Sequence, residues 1–162
     1  MWCGLRCAAL PGCVEIEFEA PVCLLLGCEA GWVGHGGVCV LLSRESTTWL
    51  LAEQRCAAQR GGAHLCSLLN AAENAFVGQL VLQAELGNVH IGFVHRPELA
   101  PPGKWHFRWS DGSAVDFLAW HERQPGGNPT RTKYASLKSP PSTWVVNSRA
   151  SVENAFCCKY RP

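Results

Sequence analysis

The sequence predicts an α+β domain, and three observations carry this prediction. Two helical patterns occur early in the chain, short apolar strands follow them, and a long segment rich in Pro, Gly, Ser and Thr interrupts these strands. The chain has 162 residues, which is enough for one domain with a sizeable core. Hydrophobic residues make up 48% of it, a proportion typical of a globular protein rather than a disordered one.

The first strand and the first helix are predicted close together. An apolar run over residues 38–42 favours a strand, and either Ser46 or Thr47 can then cap a helix. Gly61 and Gly62 end this helix. Its buried face is predicted to contain Trp49, Ala52 and Cys56.

A second helix begins after Asn70. Asn70 followed by Glu73 resembles a capping box, in which a side chain accepts a hydrogen bond from the backbone of the first helical turn. The apolar stripe that this helix buries is predicted to contain Phe76, Val77, Leu80 and Val81.

The rest of the chain alternates between short strands and turns. Strands are predicted over residues 89–94, 105–109 and 152–160, with a turn over residues 110–112. Residues 125–141 are so rich in Pro, Gly, Ser and Thr that we expect a long ordered loop without regular structure.

The cysteine content favours an oxidising compartment. Ten cysteines in a chain of this size indicate disulfides, and the competing hypothesis of a zinc site needs matched pairs at short spacing. Cys3 and Cys7 come nearest to such a pair, but no second pair follows downstream. We therefore expect an extracellular protein, either secreted or part of a cell-surface ectodomain.

Residues 1–27 form a cysteine-containing leader or linker. They show no helical or strand period that defines an element, and the pairing of their cysteines is not predicted. The cysteines of this segment are Cys3, Cys7, Cys13 and Cys23. An acidic stretch over residues 15–19 fits a secretory signal poorly, so a signal, a linker and part of another domain all remain open.

Charge and hydropathy exclude several classes of partner. The formal net charge is +1, and charged residues make up 17% of the chain, so there is no basic footprint for nucleic acid. No basic run would hold the chain to an anionic membrane surface, and no apolar run approaches the ~18 residues expected of a membrane span. We expect neither nucleic-acid binding nor direct membrane insertion, and the sequence does not predict an oligomeric state.

The sequence also gives no sign of an active site. His121 and Glu122 lie beside Gln124 and could act as a base or hold a metal, but no nucleophile with a matching partner accompanies them. There is no phosphate-binding loop and no dinucleotide fingerprint. We therefore expect a binding protein rather than an enzyme, with no catalytic residues.

A series of landmarks in order along the chain carries a family resemblance. The landmarks are Cys28 to Trp32, Cys39, Trp49 to Cys56, His64 to Leu68, Glu73, Phe76, His90 to Phe93, Trp105 to Gly112, Phe117 to Trp120, Gln124-Pro125, and Phe156 to Cys158. This set resembles the long form of the C-type lectin-like domain over residues 28–162. The phrase over residues 109–120, with the following Gln-Pro, is most similar to single modules of the multi-lectin endocytic receptors of the mannose-receptor type.

The resemblance implies two disulfides, whereas this sequence lacks the cysteines of the family's third bridge. It implies Cys28–Cys39 in the N-terminal hairpin and Cys56–Cys158 between the first helix and the last strand. The family's remaining bridge would join the position of Tyr134 to residue 149 or 150, where no cysteine stands. Two further cysteines, Cys66 and Cys157, either form a replacement bridge or remain buried thiols.

The resemblance also implies that the family's calcium site is lost. Calcium needs about six to eight oxygen ligands, which sugar-binding relatives take from Glu-Pro-Asn or Gln-Pro-Asp, a nearby Glu, and an Asn-Asp pair. Here these positions read Gln124-Pro125-Gly126, Thr132, and Val145-Val146, and the one retained Gln cannot hold the ion. We expect no metal and no cofactor.

The expected function is recognition without calcium through the surface of residues 113–150. A protein ligand is preferred, because basic residues there outnumber acidic ones and suit an acidic partner. Alternatives are a glycan, anionic or bound at a residual calcium site, and a structural spacer module of a larger receptor. The candidate contact residues are Arg123, Gln124, Arg131, Lys133, Tyr134, Lys138, Trp144 and Asn147.

Overall fold

The computed structural model describes residues 27–147, 149 and 151–162. The predictions made for residues 1–26, including their four cysteines, lie outside the described residues.

Both predicted helices are present. Helix α1 (Trp49–Gln59) buries Trp49, Ala52 and Cys56, as expected. Neither Ser46 nor Thr47 caps it, because strand β2 (Val38–Thr48) continues to Thr48 and the helix follows the strand directly. Helix α2 (Ala71–Gln83) has the predicted cap, in which Oδ1 of Asn70 accepts a hydrogen bond from the backbone N–H of Glu73 at 2.9 Å.

The described strands form one sheet. They are β1 (Val33–His35), β2, β3 (His64–Leu65), β4 (Asn88–His95), β5 (Phe107–Trp109), β6 (Lys133–Lys138), β7 (Thr143–Val146) and β8 (Glu153–Tyr160). The main path runs β1-β2-β8-β4-β6-β7, with β3 beside β8 and β5 beside β4. The named strands pair antiparallel except β4 with β8, which run parallel.

The expectation of an irregular loop over residues 125–141 was partly wrong. Strand β6 lies inside this range and pairs with both β4 and β7. The burial of residues 134–137 explains the strand. These residues sit between two segments rich in Pro and Gly, and the composition of those neighbours concealed a short central strand.

Three disulfides join the elements. Cys28 bonds to Cys39 and Cys56 bonds to Cys158, matching the pairs that the resemblance implies. Cys66 bonds to Cys157, which decides between the bridge and the two buried thiols. Because side chains alternate along a strand, neighbouring cysteines of β8 enter different clusters: Cys157 packs with Ile91 and Trp144, and Cys158 with Trp49 and Tyr134.

A search of the described residues finds no helix long and apolar enough to cross a membrane.

Candidate ligand-binding surface

The long-loop surface comprises the exposed side chains of residues 113–150. Between β5 and β6 the chain forms turns and bends, with one bridge from Trp120 to Trp144. Aromatic rings support this segment from below: Phe117 and Trp120 meet the ring of Trp144 at centroid distances of 5.8 and 5.9 Å. The loop is therefore packed against the core although it contains almost no regular structure.

Trp144 supports the surface but is not part of it. Its side chain is fully buried, and Nε1 donates a hydrogen bond to Oδ1 of Asn74 at 2.8 Å. The prediction that Trp144 contacts a ligand is therefore wrong, because the ring lies in the hydrophobic core between α2 and the loop.

Tyr134 is also buried, contrary to its place among the candidate contact residues. Its side chain is 8% exposed, and its ring stacks on Trp49 at 4.6 Å. Burial raises the pKa of the Tyr134 hydroxyl, with a smaller opposing effect from Arg96. The position at which the family resemblance places a cysteine here joins the loop strand to α1 through ring packing.

Asn147 belongs to a buried polar network around His90. The side-chain amide of Asn147 donates to Oγ of Ser136 at 3.1 Å, and Nδ1 of His90 lies 3.1 Å from the same hydroxyl. Nε2 of His90 lies 3.0 Å from the carbonyl oxygen of Thr47. Burial lowers the pKa of His90, so the ring is neutral and Nε2–H donates to Thr47. Asn147 therefore holds the sheet together and does not face a ligand.

Gln124 uses its side-chain oxygen inside the loop. Oε1 accepts hydrogen bonds from the backbone N–H of Gly126 at 3.1 Å and of Val146 at 3.0 Å. Val146 is one of the positions at which the resemblance places a calcium ligand. Gln124 and Val146 thus lie next to each other, and the side-chain oxygen of Gln124 accepts two backbone hydrogen bonds.

The remaining candidates are basic and lie at different places. Arg123 and Arg131 are exposed on the loop. Lys133 and Lys138 stand at opposite ends of β6, beside His95 and Asn88 respectively. Lys138 is therefore separated from the other basic side chains by the length of the strand, which removes it from the candidate set.

An aromatic group beside the loop was not predicted from the sequence. Phe107 stacks between buried Phe93 at 5.0 Å and half-buried Trp105 at 5.4 Å. The buried ring of His95 meets Trp105 and also lies 2.8 Å, through Nε2, from the carbonyl oxygen of Pro129 in the loop. The alternation of Trp105 and Phe107 signals a strand with one aromatic face, but nothing in it reveals the link to Pro129.

Apolar side chains of the loop are exposed as well. Leu118 is 55% exposed and Val115 is 39% exposed. The exposed charged side chains of the loop include Asp116 and Glu122 as well as Arg123 and Arg131, so the surface offers apolar groups together with charges of both signs. Among the described residues, no group of three or more His, Cys, Asp or Glu side chains could hold a metal ion.

Known proteins share both the sequence pattern and the fold. No family model matches the chain. Ovocleidin-17 of Gallus gallus is 30% identical over 142 residues, covering 82% of this chain and 96% of that protein. The galactose-specific lectin nattectin of Thalassophryne nattereri is 30% identical over 133 residues, covering 81% of this chain and 79% of that protein. This chain belongs to the C-type lectin-like family.

The solved structures of the family agree with this assignment. A calcium-independent type II antifreeze protein superposes with a TM-score of 0.69 at 25% identity, covering 83% of this chain and 95% of that protein. The C-type lectin-like fold therefore accounts for the two helices, the mixed sheet and the long loop. The relatives are lectins and lectin-like proteins, and they include both a sugar-specific member and a calcium-independent one.

Proposed function

We propose that this chain is an extracellular recognition module that binds a protein ligand without calcium through the long-loop surface. The carrying observation is the pair of hydrogen bonds that Oε1 of Gln124 accepts from Gly126 and Val146. They join the loop to β7 through protein groups, which supports recognition that does not need a cation.

The exposed side chains support a protein ligand. Protein interfaces are enriched in aromatic residues and Arg around an apolar centre. The long-loop surface offers exposed Leu118, half-buried Trp120, and exposed Arg123 and Arg131. Acidic groups of a partner would pair with these arginines, and the apolar side chains would supply the buried area.

An extracellular location rests on the disulfides. Three bridges in one domain are typical of proteins that fold in an oxidising compartment. Binding without catalysis is supported by the similarity of this chain to lectins and lectin-like proteins. The similarity to mannose-receptor-type modules remains a prediction, as does the division into a leader and a domain at residue 28.

The experiment is a binding screen against an ectodomain library with and without a chelator. We expect a binder whose signal persists in the chelator. A variant with Leu118→Ser, Arg123→Ala and Arg131→Ala should lose it. The matched control is Leu50→Ser, since Leu50 is 58% exposed on α1, outside the long-loop surface. Loss of the binding signal in the chelator would contradict calcium-independent binding. Loss of the signal in Leu50→Ser but not in the triple variant would contradict binding through the long-loop surface.

Glycan recognition is the second candidate. It is favoured by the galactose specificity in the name of nattectin, and the exposed arginines suit sulfated or otherwise anionic sugars. A glycan array under the same two conditions separates this candidate from the first. Array binding that the triple variant abolishes, without any ectodomain hit, would replace the protein ligand with a glycan.

A further inference from the structure

Two arginines lie on one face of the sheet, near the end where β4 and β5 meet. Val94 of β4 pairs with Arg108 of β5 on one side and with Tyr134 of β6 on the other. Cross-strand partners point to the same face of a sheet, and so do residues two apart along a strand. The backbone N–H of Arg96 donates to the carbonyl oxygen of His106 at 2.9 Å, so the pairing continues past Val94. Arg96, Arg108 and Tyr134 therefore surround Val94 on this face.

Glu98 supplies the anion beside these guanidinium groups. Nε of Arg96 donates a hydrogen bond to Oε1 of Glu98 at 2.6 Å, while Arg108 makes no hydrogen bond or ion pair with the described residues. The pKa of Glu98 is lowered by a hydrogen bond to its own backbone and by Arg96, with a smaller contribution from Arg108. Residues 95–108 contain no other acidic residue but three Lys or Arg, so a net positive charge remains here.

The hydroxyl of Tyr134 is a further donor on this face. The side chain is 8% exposed because its ring stacks on Trp49. Burial raises the pKa of Tyr134, and Arg96 lies near enough to oppose this rise. No hydrogen bond joins the hydroxyl to any residue in the part of the chain that the structure describes. A buried tyrosine usually has a partner for its hydroxyl, and an oxygen of a ligand would supply one.

We propose that Arg96, Arg108 and Tyr134 form a carboxylate-binding site for an acidic segment of a protein partner. Glu98 occupies part of this site in the free chain, and the partner's carboxylate would replace it. A carboxylate matches the planar guanidinium group with two parallel hydrogen bonds, and the contact of Arg96 with Glu98 already has this chemistry. Leu99 beside it is 52% exposed and offers an apolar contact. This apolar neighbour favours a peptide over a sulfated glycan.

The test is fluorescence anisotropy of a labelled hexaglutamate peptide with the full chain. We expect saturable binding, and Arg108→Gln should weaken it about fivefold, the upper end for an exposed ion pair. The matched control is Arg44→Gln, which removes the same charge from an exposed position on β2, a strand that β8 separates from β4. Equal weakening in both variants would overturn the site. Binding of a heparin hexasaccharide but not of hexaglutamate would overturn the peptide assignment, and binding of neither would overturn both.

Two further variants separate the donor from the occupant. Tyr134→Phe keeps the ring on Trp49 and removes only the hydroxyl, so the peptide affinity should fall about tenfold at an unchanged melting temperature. Glu98→Gln removes the internal carboxylate and should raise the affinity about threefold. Unchanged affinity in Tyr134→Phe would exclude the hydroxyl from the site, and unchanged or lower affinity in Glu98→Gln would contradict its occupancy by Glu98. None of these variants alters an exposed side chain of the long-loop surface, so this proposal and the proposed function can fail separately.

Discussion

The scaffold and the long loop are held in place by different kinds of interaction. In the scaffold, sheet hydrogen bonds and three disulfides connect elements that are far apart in sequence. In the loop, single side chains bond to backbone atoms, Gln124 to Val146 and His95 to Pro129, and one short backbone bridge joins residues 119–121 to Trp144. The loop thus depends on a few local contacts, whereas the scaffold depends on covalent links and many strand contacts.

The family resemblance predicts that this loop lacks both a calcium ion and a loop disulfide. In this chain the side-chain oxygen of Gln124 accepts two backbone hydrogen bonds, and the ring of Tyr134 packs on Trp49. The exposed side chains, such as Arg123 and Leu118, take no part in either interaction, so they are free to serve a ligand.

The largest expected effect concerns the two nested disulfides of the scaffold. Cys56–Cys158 spans 102 residues and encloses Cys66–Cys157, which spans 91. With one bridge intact, the other closes only a short loop. Replacing either pair by Ala should therefore cost about 3 kcal/mol of unfolding free energy, and replacing both roughly 7 kcal/mol, in the chain-entropy model.

Urea unfolding of the two double variants and the quadruple variant gives these energies. The matched control is Cys28→Ala with Cys39→Ala, whose loop is separate, so its effect should add to either one. If each double variant lost about 3 kcal/mol and the quadruple variant lost only the sum of the two, the loop-closure entropies of the two nested bridges would be independent.

In the loop, Gln124→Ala should destabilise the contact to β7. Two backbone donors lose their acceptor, and we expect a loss of about 1–2 kcal/mol together with faster hydrogen exchange at the Val146 amide. Gln124→Glu is the matched control, because a carboxylate oxygen accepts the same hydrogen bonds. Equal exchange rates in all three proteins would contradict the anchoring role of the amide.

A smaller effect should appear as a dependence of stability on pH. Because burial lowers the pKa of His90, the unfolded chain binds a proton at a higher pH than the folded chain does. Stability is therefore complete above about pH 6.5 and falls as the pH decreases below that value. His90→Gln should flatten this slope in thermal melts between pH 5 and 7, and an unchanged slope in this variant would contradict the role of His90.

The smallest effect should follow from rebuilding the cation site. Gly126→Asp, Thr132→Glu, Val145→Asn and Val146→Asp place oxygen ligands at the positions that the resemblance assigns. Calorimetry should show millimolar calcium binding that is absent from the parent, stabilising the variant by about 0.4 kcal/mol when free calcium equals Kd. Additional Lys133→Asp should strengthen it. A folded variant without binding would refute the assignment of these positions.

The sequence predicted the elements with strong local signals and missed those that tertiary contacts determine. The capping box at Asn70 was correct because its hydrogen bond is local. The cap at Ser46 was wrong because β2 pairs with β8 as far as Thr48. Strand β6 was missed because its pairing with β4 outweighs the loop-like composition around it.

The candidate site was predicted less well than the fold. Arg123 and Arg131 are exposed as expected, but Tyr134, Trp144 and Asn147 are buried. Residue type alone does not distinguish an aromatic ring that faces solvent from one that packs beneath a loop. That distinction depends on contacts such as Tyr134 with Trp49, which join residues remote in sequence.

The adjacent cysteines of β8 have a mechanical consequence. Cys158 leads to α1 on one side of the strand, and Cys157 leads to the segment after β3 on the other. A force that pulls on Tyr160 first loads the sheet pairing of residues 159 and 160 with β2 and β3, and the two disulfides then carry it to α1 and to Cys66. Under tension, the chain between residues 56 and 158 would remain closed.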